Sequence, residues 1–128
     1  MKLTKLIFAI LISLFLSCTN GLQENDVTVT ELYELLENKE VIVLDVRTPK
    51  EIAQGKIKSS ALEANFFDDD FLEKATTLLP KDKDVYVYCR SGGRSGKAAA
   101  KLKASGYTKI HNVTGGINAW KAKGYKVE

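Results

Sequence analysis

The sequence predicts an α/β fold in which a mostly parallel sheet is covered by helices on both faces. Short apolar runs alternate with stretches of helical periodicity along residues 26–128, as expected when each strand is followed by a crossover helix. The clearest run, VIVLDV, is continuously apolar up to its aspartate, a pattern typical of a strand buried on both faces. The length of 128 residues fits one domain of this kind.

The first third of this domain predicts two strands and a helix. VTV at 27–29 predicts a short edge strand, and VIVLDV at 41–46 predicts the first buried strand. Thr30 is a candidate N-cap for the helix between them. The apolar face of that helix is formed by Leu32, Leu35 and Leu36.

The middle of the domain begins with a capping box. Thr48 to Glu51 has the capping pattern, with Pro49 at the first helical position, so a short helix begins there and Gly55 ends it. A weaker strand is predicted near 60–66. The acidic residues 68–70 then open a helix that extends to about Leu79, where their charge complements the helix dipole.

The last third predicts two more strands, each followed by a helix. DVYVYC at 84–89 is a strand, and a helix extends from about Ser95 to Ser105, with Gly106 after it. KIHNV at 109–113 is the fifth strand, and GGINAWKAKG forms the last helix.

The first 17 residues have the order of a secretory signal peptide. Lys2 and Lys5 precede an apolar stretch, Leu6 to Leu16, which is shorter than the roughly 20 residues of a membrane-spanning helix. An uncleaved N-terminal anchor is the alternative.

Cys18 adds a second prediction. LFLSC resembles the bacterial lipoprotein cleavage box, in which cleavage removes residues 1–17 and the cysteine carries lipid. Residues 18–25 would then be the lipid-attachment cysteine and a tether. The resemblance implies an exported protein of the bacterial cell envelope or periplasm, held at a membrane by its lipid alone. The net charge of +3 is small and the lysines are scattered, so no nucleic-acid partner is expected.

The loop after the fourth strand has the composition of an anion site. Cys89 ends the strand, and ligands of parallel sheets bind at the carboxyl ends of the strands. Gly92 and Gly93 permit a tight turn of inward N–H groups, while Arg90 and Arg94 add positive charge. This environment favours the thiolate of Cys89 and predicts a nucleophile. A buried structural cysteine is the alternative.

Four stretches in order resemble the rhodanese-like sulfurtransferases. The loop Cys89 to Ser95 resembles the active-site loop of that family, and TELYELL its opening helix. VLDVRTPKEIAQGKI at 43–57 and VTGGINAWKAKGY at 113–125 resemble its two other signatures. One departure is the stretch from Gly55 to Ala61, where lysine replaces the usual histidine.

The resemblance implies a three-layer fold around a mostly parallel five-stranded sheet, and a two-step sulfur transfer. Cys89 would take sulfur from a donor such as thiosulfate, forming a persulfide, and pass it to cyanide or a thiol. Arg94 would be catalytic, and no metal or organic cofactor is implied. The loop residues expected to contact substrate are Arg90, Ser91, Gly92, Gly93 and Ser95. Asp45 and Arg47 would support the loops through an ion pair or hydrogen bonds.

Two other functions are compatible with a loop cysteine and arginine. A phosphatase or arsenate reductase uses both, but its loop encloses five residues, whereas Cys89 and Arg94 enclose four. A non-catalytic persulfide carrier would bind sulfur without turnover. The sequence does not indicate the oligomeric state.

Overall fold

The computed structural model describes residues 25–128, which form five helices and four strands. In chain order the elements are α1 Val29–Asn38, β1 Ile42–Asp45, α2 Pro49–Ile52, β2 Leu62–Glu63, α3 Phe71–Leu78, β3 Val85–Tyr88, α4 Gly93–Ala104, β4 Ile110–Asn112 and α5 Gly116–Ala122. The strands run parallel in the order β2-β1-β3-β4.

The edge strand predicted at 27–29 is wrong, so the sheet of the described residues has four strands rather than the predicted five. Val27 makes a single parallel bridge with Val113. The chain cannot pair further because Thr28 caps α1, its side chain accepting a hydrogen bond from the N–H of Glu31 at 3.1 Å. The prediction of Thr30 as the cap is therefore also wrong, since the cap is Thr28, two residues earlier, and the helix begins at Val29.

The sheet has a buried core on each face, as the continuous apolar runs predict. Neighbouring strand residues point to opposite faces, so Leu44 packs in one core while Val43 packs in the other. The first core includes residues of α3 and α4. The second includes residues of α1 and α5, with Trp120 buried among them. The prediction of helices on both faces is confirmed.

Two helix starts determine the surroundings of the loop after β3. The capping box at Thr48 is confirmed, with Thr48 and Glu51 bonded to each other's backbone N–H. Helix α4 begins at Gly93, two residues before the predicted start, so its first turn belongs to the loop itself. Within residues 25–128, none of the helices is long and apolar enough to cross a membrane.

Candidate active site

The loop after β3 turns sharply and leads directly into α4. Cys89 follows the strand and is 1% exposed. Gly92 has a φ of 103°, in the left-handed region, and a Cβ there would lie 3.2 Å from the N atom of Gly115. Glycine therefore allows both the turn and the close approach. Helix α4 begins at the next residue, so its first N–H groups lie beside the cysteine.

The sulfur of Cys89 lies among hydrogen-bond donors. The N–H of Gly92 donates to Sγ at 3.1 Å, and the hydroxyl of Ser95 lies 3.4 Å from it. Burial raises the pKa of the Cys89 thiol. Hydrogen bonds from the Ser95 side chain and from the N–H groups of Ser95, Gly92 and Ser91 lower it by more, so the net pKa is below its ordinary value. The loop thus increases the thiolate fraction near neutral pH.

Asn112 contacts this loop from the neighbouring strand. Its Oδ1 lies 2.6 Å from the Ser95 hydroxyl, and its Nδ2 donates to the carbonyl of Gly92 at 3.4 Å. The sequence draws attention to Asn112 only as the start of an Asn-Val-Thr glycosylation pattern. Its place at the end of β4, paired with Val87 of the cysteine strand, is the signal that could have identified it.

Arg94 is paired with Glu51 of α2 rather than with the sulfur. Its two terminal nitrogens lie 2.7 and 2.8 Å from the two carboxylate oxygens of Glu51. Mainly because of this bond, the pKa of Glu51 falls to about 2. The guanidinium also lies over the ring of Phe67, a residue that is 65% exposed. Sequence reasoning assigned Glu51 only a capping role and did not identify this second one.

Helix α5 fixes the backbone at the start of the loop. The N–H of Ile117 donates to the carbonyl of Cys89, and that of Asn118 to the carbonyl of Arg90, both at 3.0 Å. Arg90 is exposed and lines a cleft of about 320 Å³ together with Lys50 and Lys121. The side of the loop that faces this cleft therefore carries positive charge.

Asp45 and Arg47 form a buried pair at the end of β1. Arg47 Nη2 lies 2.7 Å from Asp45 Oδ2 and 2.8 Å from the carbonyl of Gly55. The hydroxyl of Tyr88, the last residue of β3, donates to the same carboxylate. These bonds tie the segment containing α2 to the sheet, and α2 carries Glu51.

Comparison with known proteins identifies the family. The Rhodanese-like domain family model matches residues 28–123. The chain belongs to the rhodanese-like family. A sulfurtransferase of Allochromatium vinosum is 41% identical over 93 residues, which cover 73% of this chain and 83% of that protein. Thiosulfate sulfurtransferase 18 of Arabidopsis thaliana is 37% identical over 87 residues, covering 60% and 64% of the two chains.

Solved structures of rhodanese-like proteins have the same fold. A rhodanese-related protein of Thermoplasma volcanium superposes with a TM-score of 0.70 at 31% identity, covering 81% of this chain and 97% of that one. The rhodanese-like domain of an Anabaena protein gives a TM-score of 0.73 at 28% identity, covering 83% and 80%. The signal peptide and the lipid-bearing Cys18 lie outside the described residues and stay predictions.

Proposed function

We propose that this rhodanese-like protein transfers sulfane sulfur from a donor such as thiosulfate to cyanide or a thiol, through a persulfide on Cys89. One observation carries the proposal. The Cys89 sulfur is buried at the end of a parallel strand, within reach of loop N–H groups that lower its pKa. Such donors stabilise a thiolate before reaction and a persulfide anion after it.

The transfer balances in two displacements. The Cys89 thiolate attacks the outer sulfur of thiosulfate, a new S–S bond forms, and sulfite leaves with the electron pair of the old one. Cyanide then attacks the outer sulfur of the persulfide, giving thiocyanate and regenerating the thiolate. A thiolate acceptor gives a persulfide of its own in the same way. Each step moves one sulfur atom and needs no external oxidant or reductant.

The geometry of the arginine supports sulfur transfer over phosphate chemistry. Cys89 and Arg94 enclose four residues, and both terminal nitrogens of Arg94 bond to Glu51. A tetrahedral oxyanion bound at the sulfur would need a larger ring of donors. A loop with a donor 3.1 Å from the sulfur itself fits one additional sulfur atom better.

Mass spectrometry and steady-state turnover test the proposal together. Thiosulfate should add the mass of one sulfur atom to the peptide that contains Cys89, and cyanide should remove it as thiocyanate. The Cys89→Ser variant, in which a hydroxyl replaces the thiol at similar volume, should show neither while remaining folded by circular dichroism. A single loading without repeated thiocyanate release would indicate a carrier, and full activity of the variant would refute the mechanism.

The place where the protein acts is proposed from the N-terminal pattern alone. A lipidated Cys18 would hold the domain at a membrane of the cell envelope, with the sulfur donor and acceptor outside the cytoplasm. The mass of the mature N-terminus tests this: a protein that begins elsewhere than at a lipidated Cys18 contradicts it.

A further inference from the structure

Ser95 has one hydroxyl proton and two candidate acceptors. Asn112 Oδ1 lies 2.6 Å from its oxygen and Cys89 Sγ lies 3.4 Å from it. A hydroxyl donates to one acceptor at a time, and the shorter contact places the proton on the side of Asn112. The sulfur therefore faces the oxygen lone pairs of Ser95 in this arrangement. Ser95 is fully buried, so its hydroxyl donates to one of these two protein groups rather than to bulk water.

The charge on Sγ changes during the proposed transfer. In the thiolate the negative charge lies on Sγ, and a hydroxyl pointing at it is favourable. In the thiol Sγ is neutral, and in the persulfide the charge moves to the outer sulfur. The Ser95 proton then needs another acceptor, since a buried donor without a partner is costly.

We propose that Asn112 is a positioning residue for sulfur transfer, whose amide oxygen holds the Ser95 proton whenever Cys89 Sγ is uncharged and gives it up when Sγ becomes a thiolate. The inference rests on the proposed function. Rotation of one hydroxyl makes the change, with no movement of the backbone. The bond from Nδ2 to the carbonyl of Gly92 keeps the amide oxygen turned toward Ser95.

Charged groups also surround the sulfur, and substitutions of Asn112 leave all of them in place. Arg94 interacts electrostatically with Cys89, and its carboxylate partner is Glu51. The other charged or titratable groups near the loop or next to Asn112 include Arg90, Lys50 and Lys121 along the cleft. They also include the Asp45–Arg47 pair with Tyr88, whose hydroxyl bonds to Asp45, and His111, which bonds to Asp84.

The test measures ionisation of Cys89 in the full chain. The rate of iodoacetamide alkylation is followed against pH by mass spectrometry of the peptide that contains Cys89, so that Cys18 does not contribute. Asn112→Ala removes the alternative acceptor, which favours the thiolate. The midpoint of the curve of alkylation rate against pH should therefore shift to lower pH. Below that midpoint, alkylation should be about fivefold faster, which corresponds to the net contribution of one hydrogen bond. Asn112→Asp strengthens the acceptor and should shift the midpoint to higher pH.

The same variants in a Ser95→Ala background separate positioning from a structural role. Without the hydroxyl, Asn112→Ala should leave the midpoint where Ser95→Ala alone puts it. If Asn112→Ala does not fold, Asn112→Asp carries the comparison, and its upward shift should be larger when Ser95 is present. An unchanged or raised midpoint in Asn112→Ala overturns the proposal. So does a shift of equal size with and without Ser95.

A second readout follows the persulfide. At equal concentrations of thiosulfate and sulfite, Asn112→Ala should hold about fivefold less persulfide relative to thiolate, because the persulfide has lost its proton acceptor at Ser95. Alkylation does not require sulfur transfer. A protein that transfers no sulfur but shows the Ser95-dependent midpoint shift would refute the proposed function and leave the proton arrangement standing.

Discussion

Replacement of Glu51 by glutamine tests the ion pair that holds Arg94. The carboxylate of Glu51 accepts from both terminal nitrogens of Arg94 and also completes the capping box with Thr48. Glutamine keeps the size and one oxygen, so the cap can form, but its NH₂ group faces an arginine donor. Glu51→Gln therefore removes the ion pair while preserving the start of α2.

The magnitude follows from the pKa of Glu51. That pKa is lowered from 4.5 to about 2, and the hydrogen bond from Arg94 is the largest cause. At about 1.4 kcal/mol for each pH unit, the free energy of unfolding gains at most about 3.5 kcal/mol from the carboxylate. The Arg94 and Glu51 side chains are 19% and 27% exposed. Water screens such a pair, and Thr48 supplies part of the shift, so we expect a loss of about 1–2 kcal/mol.

Because folding lowers the pKa of Glu51, the stability lost in Glu51→Gln depends on pH. A carboxylate whose pKa is lower in the folded state stabilises the fold above its ordinary pKa. The stabilisation disappears as the pH falls from about 4.5 to about 2. The difference in stability between wild type and Glu51→Gln should be full at neutral pH and shrink through this window, because protonated Glu51 resembles glutamine.

Urea unfolding at several pH values measures this difference, and the melting temperature at neutral pH should fall by about 5–10 °C. Glu37→Gln, a change of the same kind at an exposed position of α1, is the matched control and should alter stability by less than about 0.5 kcal/mol. A difference for Glu51→Gln that persists unchanged down to pH about 3 would refute the reasoning, because the loss would then come from the shape of the side chain rather than its charge.

Two further predictions concern Arg94 and Gly116, the first residue of α5. Arg94→Ala should raise the KM for thiosulfate severalfold in steady-state assays, and by less at high salt, where the attraction is already screened; an identical salt response in variant and wild type would exclude a role through charge. Gly116→Ala should lower the free energy of urea unfolding by more than about 2 kcal/mol, since the left-handed backbone alone costs an alanine about 1–2 kcal/mol and the added Cβ would overlap the carbonyl oxygen of Cys89 and lie 2.7 Å from that of Arg90. Gly124→Ala is the control, with a φ of 78° and open space around it; equal losses in the two variants would show that the overlap is relieved.

Local patterns predict most of the fold because the sheet is buried on both faces. Val85, Val87 and Cys89 face one core while Tyr86 and Tyr88 face the other. The continuous apolar run therefore predicts correctly that both faces of this strand are buried. The edge is harder to predict. At 27–29 the β propensity of two valines competes with a capping threonine between them, and the cap wins because Thr28 bonds to the N–H of Glu31. A period-two pattern of three residues cannot decide that competition.

The site residues that are close together in the sequence could be predicted, whereas those that come from distant parts of the chain could not. The cysteine, the glycine turn and the two arginines lie within six consecutive residues, Cys89 to Arg94, so composition alone predicts an anion-binding loop. Glu51 and Asn112 reach the loop from 43 and 17 residues away, bonding to Arg94 and Ser95 respectively. Each is near the carboxyl end of a strand paired with β3, one after β1 and one in β4. Strand pairing brings these two residues to the loop, and no single stretch of sequence specifies which strands pair. Once the order of the parallel strands is known, polar residues at the carboxyl ends of the strands flanking a candidate nucleophile become the first to examine.

Glu51 and Asn112 act on different groups: Glu51 on the charge that would attract a donor, and Asn112 on the proton beside the sulfur. Because no atom is shared between these contacts, the effects of Glu51→Gln and Asn112→Ala on Cys89 ionisation should be close to additive.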